Sequence, residues 1–208
     1  MSKRNQNMTL PEMFNHLFKV ISSERFLHKQ GLGNEVPFFI CPYSPTDAIE
    51  MEGLRAQLST KLANQGIQVL EINIYDLSIE ILQERGIWNT ILSRESSLSK
   101  EKLQELLQNT LDPEQNLIPA IAKRMQESEF DVMFFSGAGE VFPYIRSHNV
   151  LNNLQSTAKQ QPTILFFPGA YTDSDTRGTS LDLFGKVQDE NHYRDRYYRA
   201  FNIFHYEI

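Results

Sequence analysis

The sequence predicts an α/β fold: a single domain of three layers, a mostly parallel sheet between helices, with Rossmann-like or P-loop-like topology and no P-loop. Three observations carry this expectation. Short runs such as "FFIC", "VMFF" and "ILFF" are apolar at every position, as in strands covered on both faces. Helical patterns separate these runs, and parallel neighbours need such crossovers. At 208 residues, with 40% hydrophobic and 22% charged residues, the chain fits one domain spanning 1–208 with a sizeable core. Residues 1–8 are expected to be flexible, and an N-terminal helix and a helical insertion are added to the basic scheme.

The elements follow in order. Thr9-Leu10-Pro11-Glu12 reads as a helix start, with an N-cap hydroxyl, an early proline and a carboxylate in the first turn. Met13, Leu17, Val20 and Ile21 form its inner stripe, widened by Phe14 and Phe18, and the helix stops before "KQGLGNEVP". "PFFICPY" is the first strand. Asp47 to Asn64 is helical, with Ile49, Leu54, Leu58 and Leu62 facing inward, and Gly66 ends it. "IQVLEINIY" is the second strand. Asp76 to Ser128 is a series of helices, with starts at Ser99 and at Asp112-Pro113. "DVMFFS" is the third strand, a helix from about Pro143 to Thr157 follows, and "PTILFFPG" is the fourth strand. "GAYTDSDTRGTS" is expected to be flexible, "SLDLFGKV" to be a short helix or turn, and Phe201 to Tyr206 a terminal strand.

Composition narrows the function. A net charge of −6 disfavours direct DNA binding, which needs a basic face to displace counterions. One cysteine, Cys41, allows no internal disulfide. The cationic start "MSKRNQ" lacks an apolar segment behind it, and no apolar run reaches the ~20 residues of a membrane span. These features predict a soluble, cytoplasmic protein.

Ligands of such folds bind beyond the carboxyl ends of the strands. That rule gathers four loops: Pro42 to Asp47, Tyr75-Asp76, Ser136 to Glu140, and Pro168 to Tyr171. The first, "CPYSPTDAIE", stands where a P-loop would lie but lacks the glycines and the Gly-Lys-Ser/Thr ending. Ser136-Gly137-Ala138-Gly139 gives Gly-x-Gly with Phe142 in place of a third glycine, so the dinucleotide fingerprint is incomplete. The turn is either a tight strand-to-helix connection requiring small residues or a divergent anion cradle at a helix N-terminus. Phe134 stands two residues before Ser136, so the nucleophile elbow Gly-x-Ser-x-Gly is absent, and no histidine spacing suggests a metal. No catalytic, cofactor-binding or metal-ligating residue is therefore assigned.

Two polar segments remain as interaction candidates. In "RSHNVLNN", Arg146, Asn149 and Asn153 share a helix face while Val150, Leu151 and Leu154 look inward. Ser147, His148 and Asn152 complete the polar patch. In the tail "HYRDRYYRAF", Arg194, Arg196 and Arg199 interleave with Tyr193, Tyr197 and Tyr198. Arginine beside aromatics suits base stacking as well as protein interfaces, and the balanced local charge favours a protein contact.

Taken together, "KQGLGNEVPFFICPYSP", "IQVLEINIYDL", "LQERG", "FDVMFFSGAGEVFPYIRSHNVLNNLQ", "FFPGAYT", "SLDLFG" and "YYRAF" resemble the BrxB family, a small component of bacterial BREX (bacteriophage exclusion) defence systems. The resemblance runs from about Leu27 to Phe201. It implies a place beside a DNA methyltransferase, a large ATPase and a PglZ protein. It also implies an accessory or scaffolding role without catalytic residues or cofactor, and the PglZ-type component as first partner. The methyltransferase and a second copy of the chain are further partners to consider. The competing expectations are a nucleotide or anion binder using the turn Ser136–Gly139, and a DNA-contacting subunit using the C-terminal arginines and tyrosines.

Overall fold

The computed structural model describes residues 8–30, 37–174, 178–184 and 200–207. Its centre is a parallel sheet built from β1 (Phe38–Tyr43), β2 (Val69–Asn73), β3 (Val132–Ser136), β4 (Thr163–Ser174) and β6 (Phe201–Asn202), in the order β2-β3-β4-β1-β6. The last strand, β5 (Gly178–Leu183), pairs antiparallel with the outer half of β4. From β1 the chain crosses the sheet in one direction to reach β2, and from β2 onward it returns in the other. Right-handed crossovers place the connecting helices on a side set by that direction. Accordingly α3 (Ala48–Ala63) lies on one face with α1 (Leu10–Ile21) and α2 (Glu24–Leu27). The other face carries α4 (Ile74–Glu84), α5 (Trp88–Arg94), α6 (Lys100–Thr110), α7 (Ile118–Glu127) and α8 (Ser147–Leu154). This is the expected three-layer α/β/α arrangement.

Two cores result, one on each face, and the strands feed them alternately. Phe38, Ile40, Met133, Phe135, Leu165 and Phe167 face the α4–α8 side. Phe39, Cys41, Val132, Phe134, Ile164 and Phe166 face the α1–α3 side. Every residue of β3 is buried, which is why that strand reads as an unbroken apolar run. Burial pushes the Cys41 thiol well above its usual range, so it is an inert core group rather than a nucleophile.

Local chemistry fixes the helix ends. Thr9 and Glu12 form a reciprocal capping box on α1, and Ser99 caps α6. Asp112 accepts from Gln115 N at 2.9 Å, opening a π-type turn, Pro113–Leu117, ahead of α7. On α1, Met13, Leu17, Val20 and Ile21 are buried as expected. Phe14 and Phe18 stack beside them, and Lys61 Nζ of α3 sits 4.0 Å from the Phe18 ring centroid.

Several sequence expectations are corrected. The second strand stops at Asn73, because the Asn73 side chain caps α4 and draws Ile74 and Tyr75 into the helix. The segment expected to be flexible is in large part the outer half of β4 and the start of β5, and "SLDL" is strand rather than helix. The terminal strand is two residues long and turns into a 3-10 segment at Ile203–His205, where Asn202 accepts from Phe204 N. Ile49 is not part of the inner stripe of α3 but is 83% exposed. Five positions at 100° each set it about 140° from Leu54, while Met51, Leu54, Leu58 and Leu62 are buried.

Leu58 is fully buried between α3 and the sheet. Leu58→Ala is expected to lower unfolding free energy by about 2–5 kcal/mol in urea titration, as for other core leucine truncations.

Candidate functional site

The ligand position predicted from sequence lies beyond the carboxyl ends of the parallel strands. Register brings Tyr43 opposite Pro168 and Asn73 opposite Ser136, so the four loops do meet at one end of the sheet. The turn after β1 is a 3-10 segment, Pro45–Asp47. Its side chains bond one another: Ser44 Oγ and Thr46 Oγ1 are 2.7 Å apart, and Thr46 donates to Asp47 Oδ1 at 2.9 Å. Pro42 and Pro45 carry no amide hydrogen. Nothing in this turn can wrap a triphosphate.

The glycine turn is shaped by a neighbour rather than by a ligand. Gly137 has φ +82° and lies against the N-terminus of α4. A Cβ there would overlap Asn73 Oδ1 and sit 2.9 Å from Tyr75 N. Asn73 Oδ1 accepts from Tyr75 N at 2.9 Å and from Asp76 N at 3.3 Å, so amides of α4 that would attract an anion are already satisfied. Gly139 is covered in turn: a Cβ would stand 3.2 Å from both the Phe184 ring and Pro168 Cγ.

The helix after the glycine turn begins later than the sequence suggests. Val141 to Ile145 make a separate turn, with Ile145 N donating to Val141 O at 2.9 Å, and α8 starts only at Ser147. Pro143 disfavours helical geometry at Phe142 and removes a donor. No helix N-terminus therefore directly follows Ser136–Gly139, so the helix start on which the anion-cradle alternative relies lies further along the chain, at Ser147.

The electrostatics of this end are acidic. Glu140 is exposed. Burial, and then the Glu140 charge, push the Tyr43 hydroxyl up to about 12. Tyr144 is raised by burial, by Tyr75 and by Glu140. Two tyrosines are thus held neutral beside a free carboxylate, with neither poised for proton transfer near neutral pH.

The predicted site residues separate into three groups. Ser136, Gly137 and Gly139 sit at the mouth of the sheet, with Ser136 and Gly137 buried. Arg146, half-buried, precedes α8, and Ser147 and His148 begin it. Asn149 is exposed, whereas Asn152 and Asn153 are half-buried about 5–6 Å further along the helix axis. Asn153 Nδ2 donates to Asn149 O at 2.8 Å, so part of the polar face is used within the helix. Val150, Leu151 and Leu154 point inward as the spacing predicts. Tyr197, Tyr198 and Arg199, with the rest of the Arg/Tyr segment, lie outside the described residues.

Sequence reasoning missed the apolar groups at this end. Ile49 opens α3, Tyr75 opens α4 and is 39% exposed, and Phe184 follows β5 and is 42% exposed over Gly139. Only Ile49 left a signal, its angular offset from the buried stripe. Elsewhere, a cleft of about 700 Å³ opens between α4 and α7. Within it Arg124 pairs with Glu80, and Arg85 donates to Thr110 O and Asn116 Oδ1. Among the described residues no group of three or more His, Cys, Asp or Glu is arranged to hold a metal, and no helix is long and apolar enough to cross a membrane.

Comparison with known proteins gives a consistent result. The family model described as BREX protein BrxB matches residues 70–203. A BREX protein BrxB of Bacillus cereus (strain H3081.97) is 31% identical over 196 residues, covering 92% of this chain and 96% of the relative. A BREX protein BrxB of Escherichia coli O9:H4 (strain HS) is 26% identical over 183 residues, covering 88% and 86%. No solved structure matches the chain.

The Gly137 contact yields a paired test. Gly66 has a similar φ, +81°, but open space around it. Gly66→Ala is expected to cost about 1–2 kcal/mol for the left-handed backbone alone. Gly137→Ala should cost at least about 1 kcal/mol more, because it also displaces the Asn73 cap. Urea unfolding of the two variants would expose equal losses if the contact were unimportant.

Proposed function

The chain belongs to the BrxB family of BREX proteins, and on that footing we propose that it is a non-catalytic assembly subunit of a BREX phage-defence complex, binding the PglZ-type component. The observation that carries the reading is the state of the carboxyl end of the sheet. Around the turn after β3 the protein's own groups pack closely: Asn73 accepts from the amides of α4, Gly137 lies against that cap, and Phe184 with Pro168 covers Gly139.

Several features support the absence of chemistry. The titratable groups at this end are tyrosines raised by burial and the surface carboxylates Asp47, Glu50, Asp76 and Glu140, among which no nucleophile stands paired with a base. The cysteine is locked in the core. A net charge of −6 suits contact with proteins better than with DNA. The same end of the sheet presents Ile49, Tyr75 and Phe184 to solvent, residue types that a partner protein can bury.

Two measurements test this. The purified chain and the PglZ-type component, mixed at micromolar concentration, should co-elute in size exclusion; separate elution would overturn the choice of partner. Calorimetric titration with ATP, GTP and NAD should show no heat of binding at millimolar ligand, and a saturable isotherm would replace the assembly reading with a nucleotide-dependent one.

A further inference from the structure

We infer that the carboxyl end of the sheet is the docking surface itself, and that the partner segment it takes is a basic one from another protein of the complex. The inference rests on the assembly reading above and specifies where and with what chemistry assembly occurs.

Exposed large hydrophobic side chains scattered singly mean little. Here their distribution is uneven. Among the described residues Ile49, Tyr75, Leu92, Leu106 and Phe184 are exposed. Three of them emerge from connections at the same end of the sheet: Ile49 just beyond β1, Tyr75 just beyond β2, and Phe184 over the turn that follows β3. Half-buried Tyr43 ends β1 and packs against the α1–α3 core, and half-buried Tyr144, in the turn after β3, packs against the core on the other face. Ile49 is 83% exposed in the first turn of a helix whose other large aliphatic side chains, Met51, Leu54, Leu58 and Leu62, are buried. No internal packing role accounts for it.

Charge selects the occupant. Residues 42–54, 73–84 and 136–145 contain no lysine or arginine, and Asp47, Glu50, Asp76 and Glu140 stand in the loops and first helical turns. Arg55, further along α3, is held by Glu71 at 3.2 Å, and Arg146 is half-buried where the third connection ends. An apolar and aromatic surface bordered by carboxylates favours a segment bearing lysine or arginine with apolar residues between them, through complementarity of charge and buried aromatic anchors. It repels nucleic acid.

The test uses the full chain in cells expressing the whole operon. A photo-crosslinking benzoylphenylalanine replaces Ile49, Tyr75 or, as the comparison, Leu92 on α5, and adducts are identified by mass spectrometry. Positions 49 and 75 should link to a Lys/Arg-rich segment of the PglZ-type component, and position 92 should not. Glu50→Lys combined with Glu140→Lys should reduce the adduct yield at position 49 at least tenfold, with thermal melting confirming that the fold is retained. Adducts from 49 and 75 on a basic segment of a different BREX subunit would keep the surface and overturn the choice of partner. Adducts from 92 alone, on an acidic segment, on a second copy of the chain or on DNA would overturn the surface, as would none at all. Co-elution of the purified pair would then show whether the assembly reading survives without it.

Discussion

Burial of the central strands on both faces is the condition from which the architecture follows. All five residues of β3 are buried, and β1 and β4 send alternate aromatic and aliphatic side chains into two separate cores. A sheet of this kind needs helices on both sides. The single reversal of direction, at β2, supplies them, placing α3 with α1 on one face and α4–α8 on the other.

The chain's own side chains fill part of the carboxyl end of the sheet. Two helix starts face the region, those of α3 and α4. The first is preceded by a proline-bearing 3-10 turn whose hydroxyls bond to each other and to Asp47. The second has amides satisfied by Asn73. The first amides of α4 are thus satisfied by a side chain of the protein itself, whereas no side chain caps the first turn of α3. The exposed surface is instead apolar and acidic, and the reading as an assembly subunit depends on this exchange of ligand chemistry for surface chemistry.

The sequence made visible what is local or two-sided. Unbroken apolar runs disclosed β1, β3 and β4 because no position in them faces water. The caps at Thr9, Ser99 and Asp112 were legible because side chain and amide are three residues apart. The failures are tertiary in origin. Asn73 has a strand residue's neighbours but is spent as a cap. β5 is recruited by the outward extension of β4, a pairing that "GTSLDL" does not announce. The glycine turn was readable as a turn, but the need for Gly137 comes from Asn73 and Tyr75, sixty residues earlier in the chain. Ile49 shares the aliphatic character of Leu54, Leu58 and Leu62 but not their direction around the helix, so residue type alone puts it on the wrong face. The polar face of α8 was correctly separated from its buried face, although its helix starts only after the turn imposed near Pro143.

The position of Cys41 has a practical corollary. It is the chain's one cysteine, it faces the α1–α3 core, and its thiolate is strongly disfavoured by its surroundings. Alkylating or spin-labelling reagents therefore find no native competitor on the folded protein. A cysteine engineered at any solvent-facing position becomes a unique address for a fluorophore or paramagnetic tag, in the otherwise wild-type background.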